Sequence, residues 1–296
     1  MSAETRPASP TTTTTTPPTG SANAGAPRAA PPAVAANIMA VASGKGGVGK
    51  TWFSVTLAHT FAYGGEKVLL IDGDLGLANV DIQLGLTPGH DLASVISGRA
   101  RLDEAISGYA GGSAQRGQSG GFDILAGKSG SGALATLALP ELQRLRDGLL
   151  VLSRHYDRLV IDLAAGLDPS VLTLSMMAGS ACVVVTDEPT SLTDAYAFIK
   201  TLVQRGAKID MRIVVNQAQG RIDGERTYDT LRRACESFLQ VSPTLAGIVR
   251  RDPRVKECIR LQTPILARYP TANAAADVQA IAARIRELDR ALSPAM

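Results

Sequence analysis

Short apolar runs rich in β-branched residues alternate along this chain with longer stretches whose apolar positions recur every three or four residues. The runs are Ile38 to Ala42, Val68 to Asp72, Phe122 to Leu125, Leu159 to Asp162, Cys182 to Thr186, Arg212 to Asn216 and Leu245 to Val249. Between several of them lie amphipathic stretches at Lys50 to Tyr63, Leu142 to His155, Thr193 to Gln204, Tyr228 to Leu239 and Asp277 to Leu292. The runs do not alternate apolar with polar residues, so they read as strands buried on both faces. The pattern predicts one α/β domain from about 37 to 296, doubly wound, with a mainly parallel sheet and helices on both faces.

Residues 1 to 36 are mostly Thr, Pro and Ala, with a run Thr11 to Thr16. Such a segment buries too little apolar surface to offset its ordering entropy and is expected to be a disordered tail. Gly108 to Gly121, rich in Gly, Ser and Gln, is expected to be a surface loop. The 296 residues are 45% hydrophobic, enough for a large core, and the net charge of +3 selects no partner by itself. Cys182, Cys235 and Cys258 fit no zinc, cluster or disulfide spacing. The N-terminus lacks the features of a secretory signal and no window reaches a membrane span, so a cytoplasmic setting is expected.

Gly44 to Thr51 read G-K-G-G-V-G-K-T, directly after the first predicted strand and at the start of a helix. That context makes the motif a phosphate loop. Gly44, Gly46, Gly47 and Gly49 let the backbone, Val48 included, curl with its N–H groups toward phosphate oxygens, and the helix dipole adds positive potential. Lys50 is expected to reach the β- and γ-phosphates of ATP, and Thr51 to ligate Mg²⁺ through its hydroxyl. Trp52 borders the same site, where packing is its expected role.

The second strand ends in I-D-G-D, which brings Asp72 and Asp74 to the carboxyl edge of the sheet. Two carboxylates there require a cation, so both are expected at Mg²⁺. Asp162 ends the apolar run Leu159 to Ile161 and is expected to hold Mg²⁺ through its water shell. Asn216 stands at a strand end, where its amide can pair with an adenine edge or simply shape a turn.

With Lys45 in it, the loop resembles the deviant Walker A motif of the MinD/ParA class of ATPases. That resemblance implies that Lys45 reaches across a homodimer to the partner's phosphates and that Asp74 positions the hydrolytic water, with Asp72 in support. It also implies that Asn216 binds adenine and that the loop from Arg250 to Asp252 covers the base. Four segments are most similar to the FlhG/FleN group of flagellar-number regulators: D-G-D-L-G-L-A-N-V-D-I-Q-L-G-L, E-P-T-S-L-T-D-A-Y-A-F-I-K, the strand end V-V-N, and G-I-V-R-R-D-P-R-V-K-E-C-I-R-L-Q-T-P. Resemblance to that group implies an ATP-dependent dimer that works with the flagellar GTPase FlhF, C-ring proteins or a flagellar transcription regulator.

Three features qualify the resemblance. The tail lacks the D-Q-A-x-x-L-R element of members that stimulate the GTPase, and Leu163 stands where the class has Ser, Thr or Gly. The class also tends to end in a membrane-targeting helix, which makes a membrane surface a further partner. Here Val278, Ile281, Ile285, Leu288 and Leu292 form a stripe without Phe or Trp, as expected for a helix packed on its own core. Two other functions compete. Arg250, Arg251, Arg254, Lys256 and Arg260 would suit a ParA-type ATPase on DNA, although a charge run is ordinarily a solvated face. A metabolic synthetase would need a substrate pocket, whereas the strong motifs all attend to nucleotide.

Overall fold

The computed structural model describes Met1 and residues 34–111, 120–127 and 137–292, and in it the apolar runs become strands of one sheet. The strands are β1 (Ala35–Ser43), β2 (Val68–Gly73), β3 (Ile106–Tyr109), β4 (Phe122–Leu125), β5 (Arg158–Ala165), β6 (Ala178–Val185), β7 (Asp210–Ala218) and β8 (Thr244–Arg250). They lie in the order β3-β4-β2-β5-β1-β6-β7-β8. Neighbours are parallel except for β3 against β4. The sheet winds outward in both directions from β1, so the crevice beyond its carboxyl end is the natural place for a ligand.

Helices cover both faces: α1 (Lys50–Tyr63), α2 (Val80–Leu84), α3 (Leu92–Ile96), α4 (Leu139–Leu152), α5 (Pro169–Met176), α6 (Pro189–Gln204), α7 (Arg221–Leu239), α8 (Pro253–Arg260), α9 (Ile265–Arg268) and α10 (Asn273–Leu292). Strand residues alternate between the two faces. In β1, Ile38 and Ala40 belong to one core cluster, which also holds Leu145, Phe198 and Leu231 from α4, α6 and α7. Met39 and Val41 belong to a second cluster, which also holds Phe53 and Leu57 of α1 and Ile285 of α10.

The stripe on the last helix is core along its first three residues. Val278, Ile281 and Ile285 are buried, while Leu288 is half-buried and Leu292 exposed. Asp289 near the helix end pairs with Arg158 of β5 at 2.9 Å and with Arg212 of β7 at 2.7 Å. Arg286 pairs with Glu66 at 2.6 Å, and the guanidinium groups of Arg158 and Arg286 lie 4.0 and 5.1 Å from the centre of the Phe61 ring. Among the described residues no helix is long and apolar enough to cross a membrane.

Several elements differ from the pattern-based expectation. β1 starts at Ala35, where it pairs with Ala178, rather than at Ile38. β3 occupies the first residues of the expected loop, with Tyr109 paired to Phe122. It carries a glycine and lies at the sheet edge, so its β signal is weak. Most of the expected tail (2–33), residues 112–119 of that loop and residues 128–136 lie outside the described residues.

His59 of α1 is fully buried against the rings of Tyr63, Tyr109 and Phe122. Burial pulls its pKa down to about 4, only partly opposed by the Gly111 backbone. The unfolded chain takes up this proton near pH 6.5 while the folded chain resists it, so stability falls as pH drops through the window between the two values. The loss should approach ~3 kcal/mol. His59→Leu is expected to flatten the urea-unfolding free energy between pH 6.5 and 4 relative to the unsubstituted chain.

Candidate functional site

The phosphate loop joins the carboxyl end of β1 to α1 and borders a cavity of about 630 Å³. Gly46, Gly47, Gly49, Lys50 and Thr51 form one wall, Asp74 to Leu77 a second, and Leu163 to Ala165 with Asp168 a third. Glycine is required at two loop positions by different neighbours. A Cβ on Gly44 would lie 2.1 Å from the Asp194 backbone of α6. One on Gly49, whose φ is 90°, would lie 2.5 Å from Asn216 Nδ2.

Lys50 opens α1 and is buried, and burial lowers its pKa against the opposing pull of Asp162 and Asp74. Asp72 and Asp162 are paired across β2 and β5, which sets their carboxylates side by side. Burial and then Asp162 push Asp72 up to about 7. Burial pushes Asp162 up to about 6, opposed by the Thr51 hydroxyl, Lys50 and Ser54. Ser54 Oγ donates to Asp162 at 2.9 Å. Two carboxylates poised near neutrality are what a cation would ionise fully.

The donors facing the cavity are hard oxygens, a hydroxyl and carboxylates, which fit Mg²⁺. Among the described residues no group of three His, Cys, Asp or Glu side chains forms a cage. Thr51 would be the direct protein ligand, with Asp162 behind it.

The acidic residues divide the work. Asp72 does not line the cavity. Its oxygens accept the N–H groups of Asp74 at 3.2 Å, Asn79 at 2.8 Å and Val80 at 3.0 Å, which fixes the loop after β2. Asp74 does line it, with Oδ1 accepting from Gly76 and Leu77.

Lys45 is not among the residues that line the cavity. Its ammonium pairs with Glu188 and donates to Thr190 Oγ1 at 2.9 Å, both at the start of α6. Asn216 donates to the Val48 carbonyl at 2.8 Å and accepts from the Gln217 N–H, so its amide holds the phosphate loop. Arg250 is ion-paired with Asp277 of α10 at 2.8 Å. Asp252 caps α8 by accepting from the Arg254 N–H. Trp52 is buried in the core and also lines the cavity.

Asn79, Gln83, Asp168, Ser170 and Ile259 line the cavity without having been read as site residues. Asp168 stands at the N-cap of α5 yet its side chain makes no cap hydrogen bond. Its place two residues after Gly166 was the available signal.

The model of the CobQ/CobB/MinD/ParA nucleotide binding domain matches residues 39–265. The chain is 36% identical over 249 residues to the antiactivator FleN of Pseudomonas aeruginosa, covering 84% of this chain and 85% of that protein. It is 32% identical to the flagellum site-determining protein YlxH of Helicobacter pylori, over 75% of this chain and 72% of that one. The crystal structure of the cell division ATPase MinD from Pyrococcus furiosus superposes with a TM-score of 0.68 at 25% identity, covering 86% of this chain and all of that one.

Proposed function

This chain belongs to the CobQ/CobB/MinD/ParA nucleotide-binding family, and from that premise we propose that it is an ATP-hydrolysing, dimerising switch that regulates flagellar number or placement. One observation carries the reading: Lys50, Thr51 and Asp74 converge on a single cavity beside the buried Asp162.

In this reading the N–H groups of Gly46 to Thr51 and the Lys50 ammonium hold the ATP phosphates. Thr51 and the buried Asp162 are the residues that would hold Mg²⁺, and the ion would supply charge to offset that of the phosphates. Asp74, free on one carboxylate oxygen, orients the water that attacks the γ-phosphorus, and ADP and phosphate are released. Lys45 supplies positive charge to the phosphates of a second subunit. It first has to leave Glu188 and Thr190, so the isolated chain keeps it in an internal parking position. Dimer assembly thus completes each site, and hydrolysis undoes it.

The flagellar assignment is supported by the likeness to FleN and YlxH, with a flagellar protein as the partner. A DNA-bound function is less well supported, because two residues of the basic run are engaged within the chain: Arg250 by Asp277 and Arg254 over the Tyr269 ring. Deleting the gene in its own cell should change the number of flagella per cell. A wild-type copy should restore the count and a Lys50→Ala copy should not. An unchanged count would remove the flagellar role and leave the ATPase reading standing.

A further inference from the structure

Gln217 adopts φ 59°, the left-handed region that non-glycine residues avoid. Gln240 and Gln262 share this conformation, but both follow helix ends, where a left-handed residue is the ordinary way to stop a helix. Gln217 instead lies inside β7. Val215 pairs with Ile248 and Ala218 with Arg250, so β7 carries one residue more than β8 across this step. That extra residue makes a bulge, a device that re-aims a side chain beside a site.

The bulge aims two amides at the outside of the phosphate loop. Asn216 Nδ2 donates to the Val48 carbonyl at 2.8 Å, and Gln217 Nε2 approaches the Gly47 carbonyl at 3.5 Å. In a planar trans peptide the C=O and N–H point in opposite directions. Holding the Gly47 oxygen outward therefore turns the Val48 N–H inward. Holding the Val48 oxygen outward does the same for the Gly49 N–H.

Resting on the ATP reading above, we propose that Asn216 and Gln217 form a two-amide clamp that fixes successive phosphate-loop N–H groups toward the nucleotide, with Gln217 as a positioning residue held in strained backbone for that task. Residues kept in disfavoured backbone persist where the strain serves a site. Relieving it should then help the fold and harm the ligand. A residue that merely packs would do neither.

The test compares the full-length chain with Gln217→Gly, which accepts φ > 0 freely, and Gln217→Asn, which tolerates it but is one methylene too short to reach. ATP and ADP affinities are measured by calorimetry with Mg²⁺, together with melting temperature and ATPase kinetics. Both variants are expected to bind ATP and ADP about fivefold more weakly, the size of one lost neutral hydrogen bond. The ATP concentration for half-maximal hydrolysis should rise by the same factor, with a much smaller change in maximal rate. Gln217→Gly should melt at or above the wild-type temperature.

Affinities within twofold of wild type in both variants would overturn the clamp. So would a fall in the melting temperature of Gln217→Gly that accompanies its loss of affinity, since that describes a structural role. If the wild-type chain bound neither nucleotide, the ATP reading itself would fall, and the clamp with it.

Discussion

Lys50→Ala is expected to weaken ATP binding at least about a hundredfold, because the substitution removes the cation that meets the β- and γ-phosphates. A hydrogen bond to a charged group contributes about 1.5–3 kcal/mol, and two such contacts exceed the ~2.7 kcal/mol of a hundredfold change. The loss is compounded by what stays behind. Asp162 is fully buried and leans on Lys50, Thr51 and Ser54 to oppose its desolvation. Without the ammonium, bound phosphate would face Asp74 and Asp162 with no fixed positive charge between them. Trp52 is the only tryptophan and borders the cavity, so its emission should respond to ATP in the wild-type chain and stay constant to millimolar ATP in the variant. A melting curve close to wild type would assign the loss to the site. Tight ATP binding by the variant would contradict the role given to Lys50.

Asp74→Asn should separate binding from turnover. An asparagine oxygen can still accept the Gly76 and Leu77 N–H groups that Asp74 Oδ1 accepts at 3.2 and 2.9 Å, so the turn after β2 is kept. What is lost is the charge that orients and polarises the attacking water. Such a group typically contributes about 10²–10⁴ in rate, and phosphate release should fall by at least about a hundredfold. ATP affinity should hold or improve, since a negative charge has been taken from beside the phosphates. Hydrolysis at the wild-type rate would pass the role to another group, and Asp168 lines the same cavity without a side-chain hydrogen bond capping its helix.

The fold was legible because its information is local. Apolar runs and 3.6-residue periodicity mark seven of the eight strands and the long helices without reference to any partner. β3 escaped because I-S-G-Y is short, holds a glycine and sits at an edge, where pairing with β4 rather than composition makes it a strand. The last helix was read correctly as core packing. The two ion pairs of Asp289 that pin it join residues far apart in the chain, and no pattern announces them.

The site divides the same way. Gly44 to Thr51 is contiguous and could be read directly, as could the carboxylates at strand ends. Pairings across the chain could not. Asn216 meets Val48 across 168 residues, and Lys45 meets Glu188 across 143. Arg250 looks like a free cation in sequence until Asp277 appears beside it. The bulge at Gln217 depends on register against β8, which no single segment encodes.

The central claim is that ATP joins two copies of this chain through Lys45, and the mass of the particle in solution tests it most directly. Light scattering on Asp74→Asn with ATP and Mg²⁺ should give twice the 30.8 kDa of one chain. With ADP, or with Lys45→Ala added to the same background, it should give the mass of one chain. A one-chain mass under every nucleotide condition would contradict the account.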